Sequence, residues 1–279
     1  MDNATVLDES IETSDGINLA CQYQEVKDSF AVAVIIHGFG EHQGLYTEMC
    51  SNLAKKAILP FSFDLRGHGS SGGKRQDFGT MENLLDDLEL VIARVESKFP
   101  DLPIALFGNN IGAIVAGLYC QFNKRKIVAL NLHGIPWHWQ STSTQRTIQP
   151  ILKVIGPVSS SFRQAIAGSE KHMRHSKPLG LLQLMDIEKS RIALKRNAFH
   201  LLTPLLLTGA GPGREEDEEM LSEVCSYHKN AIVTGPSMYS KSVYPILVDW
   251  LCEFRDSGQL EDVHEMYEEL NVNDGTLFV

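Results

Sequence analysis

An α/β fold, with a mostly parallel central sheet covered by helices on both faces, is predicted by the alternation of two periods along the chain. Short apolar runs recur at Ala31 to Ile36, Leu59 to Phe63, Ile104 to Phe107, Ile127 to Leu132, Leu205 to Leu207 and Ala231 to Val233. Gly, Asp or Asn soon follows most of them, as expected of buried parallel strands. Between them lie segments of helical spacing. Met81, Leu84, Leu85, Leu88, Val91, Ile92 and Val95 repeat at three and four behind Thr80, a suitable N-cap, and Asp101 and Pro103 close the segment. Val243, Ile246, Leu247, Trp250, Leu251 and Phe254 repeat likewise. In such a sheet, ligands sit at the carboxyl ends of the strands.

The 279 residues allow two domains at roughly 150 residues each, but one large α/β core is equally compatible. With 43% hydrophobic and 22% charged residues the composition is that of an ordinary globular protein, and no apolar run approaches the roughly 18 residues that cross a bilayer. The start, Met1-Asp2-Asn3, is acidic and no apolar stretch follows, so a secretory signal is not expected. Five scattered cysteines without a CxxC pair read as reduced thiols of an intracellular protein. A cytoplasmic location follows, with peripheral membrane contact as a variant.

The net charge of -10 is unevenly placed. Residues 258–279 carry -6 and residues 214–219 carry -4, whereas residues 137–203 carry +7. A basic block on an acidic body does not suit general nucleic-acid binding, but it could meet an anionic membrane surface or an acidic protein partner. The simpler reading is a solvated face. The 137–203 stretch also breaks the strand-helix alternation, so it reads as an insertion covering the carboxyl edge of the sheet. The expected organisation is one domain over 1–256 with this cap, followed by an acidic tail, 257–279, which could fold back onto the cap in a salt-sensitive way.

Three loops carry motifs. The 31–36 run leads into His37-Gly38-Phe39-Gly40-Glu41-His42, and the 59–63 run into Asp64-Leu65-Arg66-Gly67-His68-Gly69-Ser70-Ser71-Gly72. The 104–107 run turns into a helix through Gly108-Asn109-Asn110-Ile111-Gly112. In order and spacing these resemble the monoacylglycerol lipase-like (serine aminopeptidase and lysophospholipase-type) branch of the α/β-hydrolase fold, over about residues 15–256. The resemblance implies a Gly-x-Ser-x-Gly elbow after the third strand, an oxyanion hole from the backbone N–H groups of Phe39 and Ile111, and a cap over an acyl pocket.

The resemblance also implies a triad, and here the sequence departs from it. Asn110 stands at the serine position, and its amide supplies no nucleophile for acyl attack. Pro212 falls at the acid position, and Met238, or Tyr239 with an offset of one, at the histidine position. The expectation is a hydrolase homologue that has lost serine catalysis and binds a small lipid or acyl ligand, or a partner. The alternative is an atypical lipid or ester hydrolase with a relocated catalytic group. Asn suits the elbow because it tolerates positive φ better than most residues. Gly38, Asn109, Asn110, His133 and Trp137 are the candidate pocket residues.

Other residues are weighed against plainer roles. Glu215, Glu216 and Asp217 could supply a displaced carboxylate, but acids at a helix start are explained by its dipole. His133 reads as structural or ligand-contacting before it reads as a base. His37, His42 and His68 read as structural. Trp137, His138 and Trp139 read first as packing residues. Deamidation of Asn110 to a nucleophilic Asp is disfavoured by the bulky Ile111 that follows. His172 and His175 are a weak metal signal, so no metal or other cofactor is expected. Neither GxGxxG nor Walker spacing is present.

Overall fold

A computed structural model describes residues 5–122, 127–135, 181–197, 201, 203–208, 232–234 and 243–258. All six predicted strands form: β3 (Ala31–Ile36), β4 (Ile58–Phe63), β5 (Ile104–Asn109), β6 (Ile127–His133), β7 (Leu205–Thr208) and β8 (Ile232–Thr234). They pair in parallel in the order β4-β3-β5-β6-β7-β8. Every residue of β3, β4 and β6 is buried, which is why these strands read as unbroken apolar runs.

Two further strands precede them. β1 (Val6–Glu12) and β2 (Asn18–Gln24) form an antiparallel hairpin, and β2 joins β4 antiparallel, completing an eight-stranded sheet. Along β1, exposed and half-buried positions alternate, so acids such as Asp8 and Glu12 interrupt any apolar run. The signal there was period two rather than continuous hydrophobicity.

Helix α1 (Thr47–Lys55), not anticipated, follows a single turn of 3₁₀-helix over Gln43–Tyr46. Helix α2 (Met81–Lys98) starts where Thr80 predicts: the Asn83 N–H donates to Thr80 Oγ1 at 3.2 Å, and the Thr80 N–H donates to Asn83 Oδ1 at 3.0 Å. This reciprocal pair satisfies two otherwise orphaned donors. Helix α3 (Ile111–Phe122) is buried from Ile111 to Tyr119. Helices α4 (Leu181–Arg196) and α5 (Val243–Asp256) complete the described helices.

The core has two layers, one on each side of the sheet. Side chains of α2, α3 and α4 pack with Val32, Val34, Ile36, Phe61 and Leu106 on one face. Those of α1 and α5 pack with Ala33, Ile35, Phe107 and Leu206 on the other. Alternate residues of β3 thus serve opposite layers, as the pleat requires.

Helix α4 corrects the reading of residues 137–203 as wholly a cap over the sheet edge. Leu184, Ile187 and Leu194 are buried in the layer shared with α2 and α3. The Met81 N–H donates to Asp186 Oδ2 at 2.5 Å, Gln183 to Asp77 at 2.8 Å, and Gln121 to the Leu194 carbonyl at 2.7 Å. The end of the basic stretch is therefore part of the body. Residues 137–180 and the tail 259–279 lie outside the described residues.

No helix among the described residues is long and apolar enough to cross a membrane. Cys21, Cys50, Cys120 and Cys252 are free thiols. Burial pushes the thiols of Cys21, Cys50 and Cys120 up to about 12, so they are poor nucleophiles.

Candidate functional site

The three motif loops meet at the carboxyl ends of β3, β4 and β5. Between β5 and α3 the chain reverses at Asn110, whose φ is +52°, a left-handed conformation in which Asn is enriched. The positive φ expected of Asn at this turn is observed. Its N–H donates to the His133 carbonyl at 2.9 Å, and its carbonyl accepts the Ala113 and Ile114 N–H groups at 3.1 and 3.3 Å. One residue thereby ties β6 to the first turn of α3.

The glycines on either side are required by close approach. A Cβ on Gly112 would lie 2.3 Å from the Ile36 carbonyl oxygen, and one on Gly108 would lie 2.4 Å from the Gly112 oxygen. Those distances are far inside van der Waals contact, so the Gly-x-x-x-Gly spacing is a packing condition for the sharp turn. It constrains the backbone and leaves the side chain at the turn open.

The loop after β3 is held by a carboxylate. Glu41 accepts the Gly38 N–H at 2.7 Å, the Tyr46 hydroxyl at 2.6 Å and the Asn109 amide at 3.0 Å on each oxygen. The Phe39 ring is buried, edge-on to His68 at 5.2 Å and to Phe78 at 6.3 Å. Among the described residues, no acceptor takes the N–H of Phe39 or of Ile111.

The loop after β4 folds around Asp64 and Arg66. Asp64 accepts the Gln43 and Ser70 N–H groups, each at 2.7 Å. Arg66 grips the buried Asp87 of α2 through two bonds of 2.7 and 2.6 Å and reaches Asp15 at 2.8 Å. This fork geometry suits guanidinium and carboxylate, and it raises the affinity of Arg66 for its proton.

His37 and His68 are buried, as structural residues would be, whereas His42 is exposed. The His37 ring takes the Leu65 N–H on Nε2 at 2.9 Å, which makes Nε2 a lone pair and places the proton on Nδ1, bonded to the Gly38 carbonyl at 2.7 Å. Although Asp64 lies 3.8 Å from Nε2, this arrangement is that of a neutral imidazole. Burial brings the pKa of both rings down to about 4. The His68 Nδ1 bonds the Arg66 carbonyl at 2.9 Å, and its buried Nε2 has no partner among the described residues.

His133 ends β6, with its carbonyl on Asn110 and its ring elsewhere. The imidazole stacks on Phe107 at 6.3 Å and shares a 3.0 Å hydrogen bond with Thr208 Oγ1. Asn131, fully buried, donates to the Leu206 carbonyl at 2.9 Å and to Thr208 Oγ1 at 3.3 Å. Phe107 and Leu206 belong to the α1 and α5 layer, while Phe39 and Ile111 belong to the other. The His133 ring thus packs with the opposite face of the sheet from the Phe39 side chain. Thr208 and Glu41 were not singled out from the sequence; for Glu41 the available signal was its place in the first motif.

Of the sequence-predicted positions, Gly38, Phe39, Asn109, Asn110 and Ile111 are brought together by the β3 and β5 loops. Pro212, Met238, Tyr239 and Trp137 lie outside the described residues, as do Glu215, Glu216, Asp217, His172 and His175. Among the described residues, no group of three or more His, Cys, Asp or Glu is placed to hold a metal ion.

The strand order, the glycine-bounded turn between β5 and α3 and the loop after β3 define the α/β-hydrolase fold. Solved structures agree on the fold. The chain superposes on a lipase in its open form with a TM-score of 0.73 at 17% identity, covering 91% of this chain and 99% of the other. A monoglyceride lipase from Saccharomyces cerevisiae, solved as a soluble variant with a substrate analogue, gives 0.69 at 17% identity, covering 92% and 96%.

The chain belongs to the family described as serine aminopeptidase, S33, whose model matches residues 27–179. A monoglyceride lipase homolog of Monkeypox virus is 30% identical over 119 residues, 42% of this chain and 43% of the relative. Monoglyceride lipase of Rattus norvegicus is 31% identical over 104 residues, 37% and 34%. The matches therefore span less than half the length of these relatives.

Proposed function

We propose that this chain is a monoacylglycerol lipase-like α/β hydrolase homologue without serine-hydrolase catalysis, which binds a small lipid or other acyl ligand at the carboxyl edge of its sheet. The observation that carries this reading is Asn110 at the elbow, at φ +52°. An amide cannot form the acyl intermediate on which a serine hydrolase depends. Pro212 and Met238 or Tyr239, at the positions that the family resemblance gives to the acid and the histidine, support the same reading. The N–H groups of Phe39 and Ile111 would then hold a ligand oxygen without turnover. The basic stretch 137–203 is where an anionic surface or an acidic partner would meet the chain, and a cytoplasmic, membrane-peripheral location accords with that.

The test is a fluorophosphonate probe together with monoacylglycerol hydrolysis. No covalent labelling is expected, and any turnover should stay at the roughly 10³- to 10⁴-fold acceleration over water that binding and oxyanion donors alone can leave. Stoichiometric labelling, or turnover of about 1 to 10³ per second, overturns the reading.

A second reading, an atypical ester hydrolase with a relocated group, is favoured by those same N–H donors, which no acceptor takes among the described residues. It requires a measurable esterase activity that His133→Ala, or alanine at Glu215, Glu216 or Asp217, abolishes. Activity indifferent to all four changes removes it.

A further inference from the structure

We propose that Glu41 is a positioning residue: through Asn109 it seats the loop after β3 on the elbow, so that the Phe39 N–H faces the same point as the Ile111 N–H. This rests on the proposed function for what the donors hold, but the seating itself is a property of the unliganded chain.

Two donors from different elements act on one oxygen only if those elements keep a fixed spacing. Phe39 lies in a loop outside helix and strand, and Ile111 begins a helix that is buried throughout its first turns. The described hydrogen bonds that join this loop to the elbow run through one carboxylate. Glu41 takes the Gly38 N–H, one residue before Phe39, and the Asn109 amide, two residues before Ile111. Tyr46, at the end of the 3₁₀ turn, donates to the same carboxylate at Oε2 and holds it in place.

The proton count makes the role specific. The Gly38 N–H, the Tyr46 hydroxyl and the Asn109 amide all donate, so the clasp needs a group that only accepts, and an ionised carboxylate is that group. No cation is recorded on Glu41 among the described residues. A glutamine would turn one acceptor into a donor facing other donors. Gly38 fits the same picture: a Cβ there would stand 3.0 Å from Glu41 Oε2 and 3.2 Å from Asn109 Nδ2, in the path of the clasp.

Native-state hydrogen exchange of the backbone amides, read by NMR on the full chain without ligand, decides the matter. In Glu41→Gln and in Asn109→Ala, exchange at Gly38 should accelerate by about tenfold or more. Phe39, whose N–H meets no acceptor among the described residues, should report through its chemical shift. Amides in the middle of α3 should keep their rates, which separates loosening of the loop from loss of the fold. The double variant should show less than the product of the two single effects, because both remove the same bond. Unchanged Gly38 exchange and Phe39 shift in both single variants, or acceleration equal across the whole molecule, overturns the proposal. Dodecanoate titration by calorimetry is the second arm. Weaker binding by the variants than by the unmodified chain supports the proposal. If the unmodified chain itself does not bind dodecanoate, the acyl-ligand reading fails while the exchange data still decide the positioning role.

Discussion

The β3–β5 half of the carboxyl edge and the β6–β7 half follow different rules. In the first, the turn is built by backbone: a left-handed conformation at Asn110, two glycines without room for a Cβ, and N–H groups of Phe39 and Ile111 that no acceptor takes among the described residues. In the second, the side chains satisfy one another, His133 with Thr208 and Thr208 with Asn131. Backbone donors survive any side-chain change that the turn tolerates, whereas nucleophile and acid-base chemistry belongs to side chains and is lost with them. On the proposed function, the fold keeps backbone donors for a ligand oxygen where the reacting side chains have gone.

The most severe way to break the first half is Gly112→Val. With a Cβ placed 2.3 Å from the Ile36 oxygen, the turn must open or β3 must move. We expect about 3 kcal/mol or more of lost stability by denaturant unfolding. A loss under about 1 kcal/mol would mean the glycine is not a packing condition.

Acid should strike the same half next. His37 and His68 have folded-state pKa values brought down to about 4 by burial, against about 6.5 when unfolded. Protons therefore bind the unfolded chain preferentially. Stability is whole above about pH 6.5, falls as pH drops toward 4, and loses nothing further from these groups below that. Between pH 7.5 and 5 the loss should be about 2 kcal/mol per histidine. Urea unfolding at the two pH values measures it, and His68→Gln should remove part of the dependence.

In the second half, Thr208→Val keeps the shape and removes the hydroxyl. Stability should fall by about 1–3 kcal/mol, because the buried His133 ring nitrogen and Asn131 amide lose a partner. Proteolysis or calorimetry would register the change. If Thr208→Val and the unmodified chain react alike with a fluorophosphonate probe, the pair is structural; a gain of reactivity in the variant would contradict that.

The smallest effect separates backbone from chemistry at the elbow itself. Asn110→Gly should leave stability within about 1 kcal/mol, because glycine accepts φ +52° without strain. Asn110→Val should cost more than Asn110→Gly, since a β-branched residue resists the left-handed region. Equal melting temperatures for the two would remove backbone strain as the reason for asparagine.

Much of this edge was legible beforehand because its constraints are local. The six parallel strands are continuous apolar runs, Thr80 is a helix cap three residues before Asn83, and the elbow glycines stand four apart where strand meets helix. The β1–β2 hairpin escaped because half of its residues face outward, so its hydrophobic content is diluted by acids. The basic charge of residues 181–196 suggests a cap, but Leu184, Ile187 and Leu194 commit helix α4 to the α2 and α3 layer. The partners of Glu41 were not legible, since Gly38, Tyr46 and Asn109 converge on it from three segments.

What the sequence by itself determined is the fold class, the positions of the turns and the asparagine that stands at the turn between β5 and α3. These depend on residue type and spacing along one stretch of chain. Only the tertiary structure decided which face the His133 ring joins, that His37 is neutral, and that one carboxylate spans two loops. Those outcomes depend on burial and on partners brought together from distant segments, 68 residues apart for Glu41 and Asn109 and 75 for His133 and Thr208. No periodicity in the chain records them.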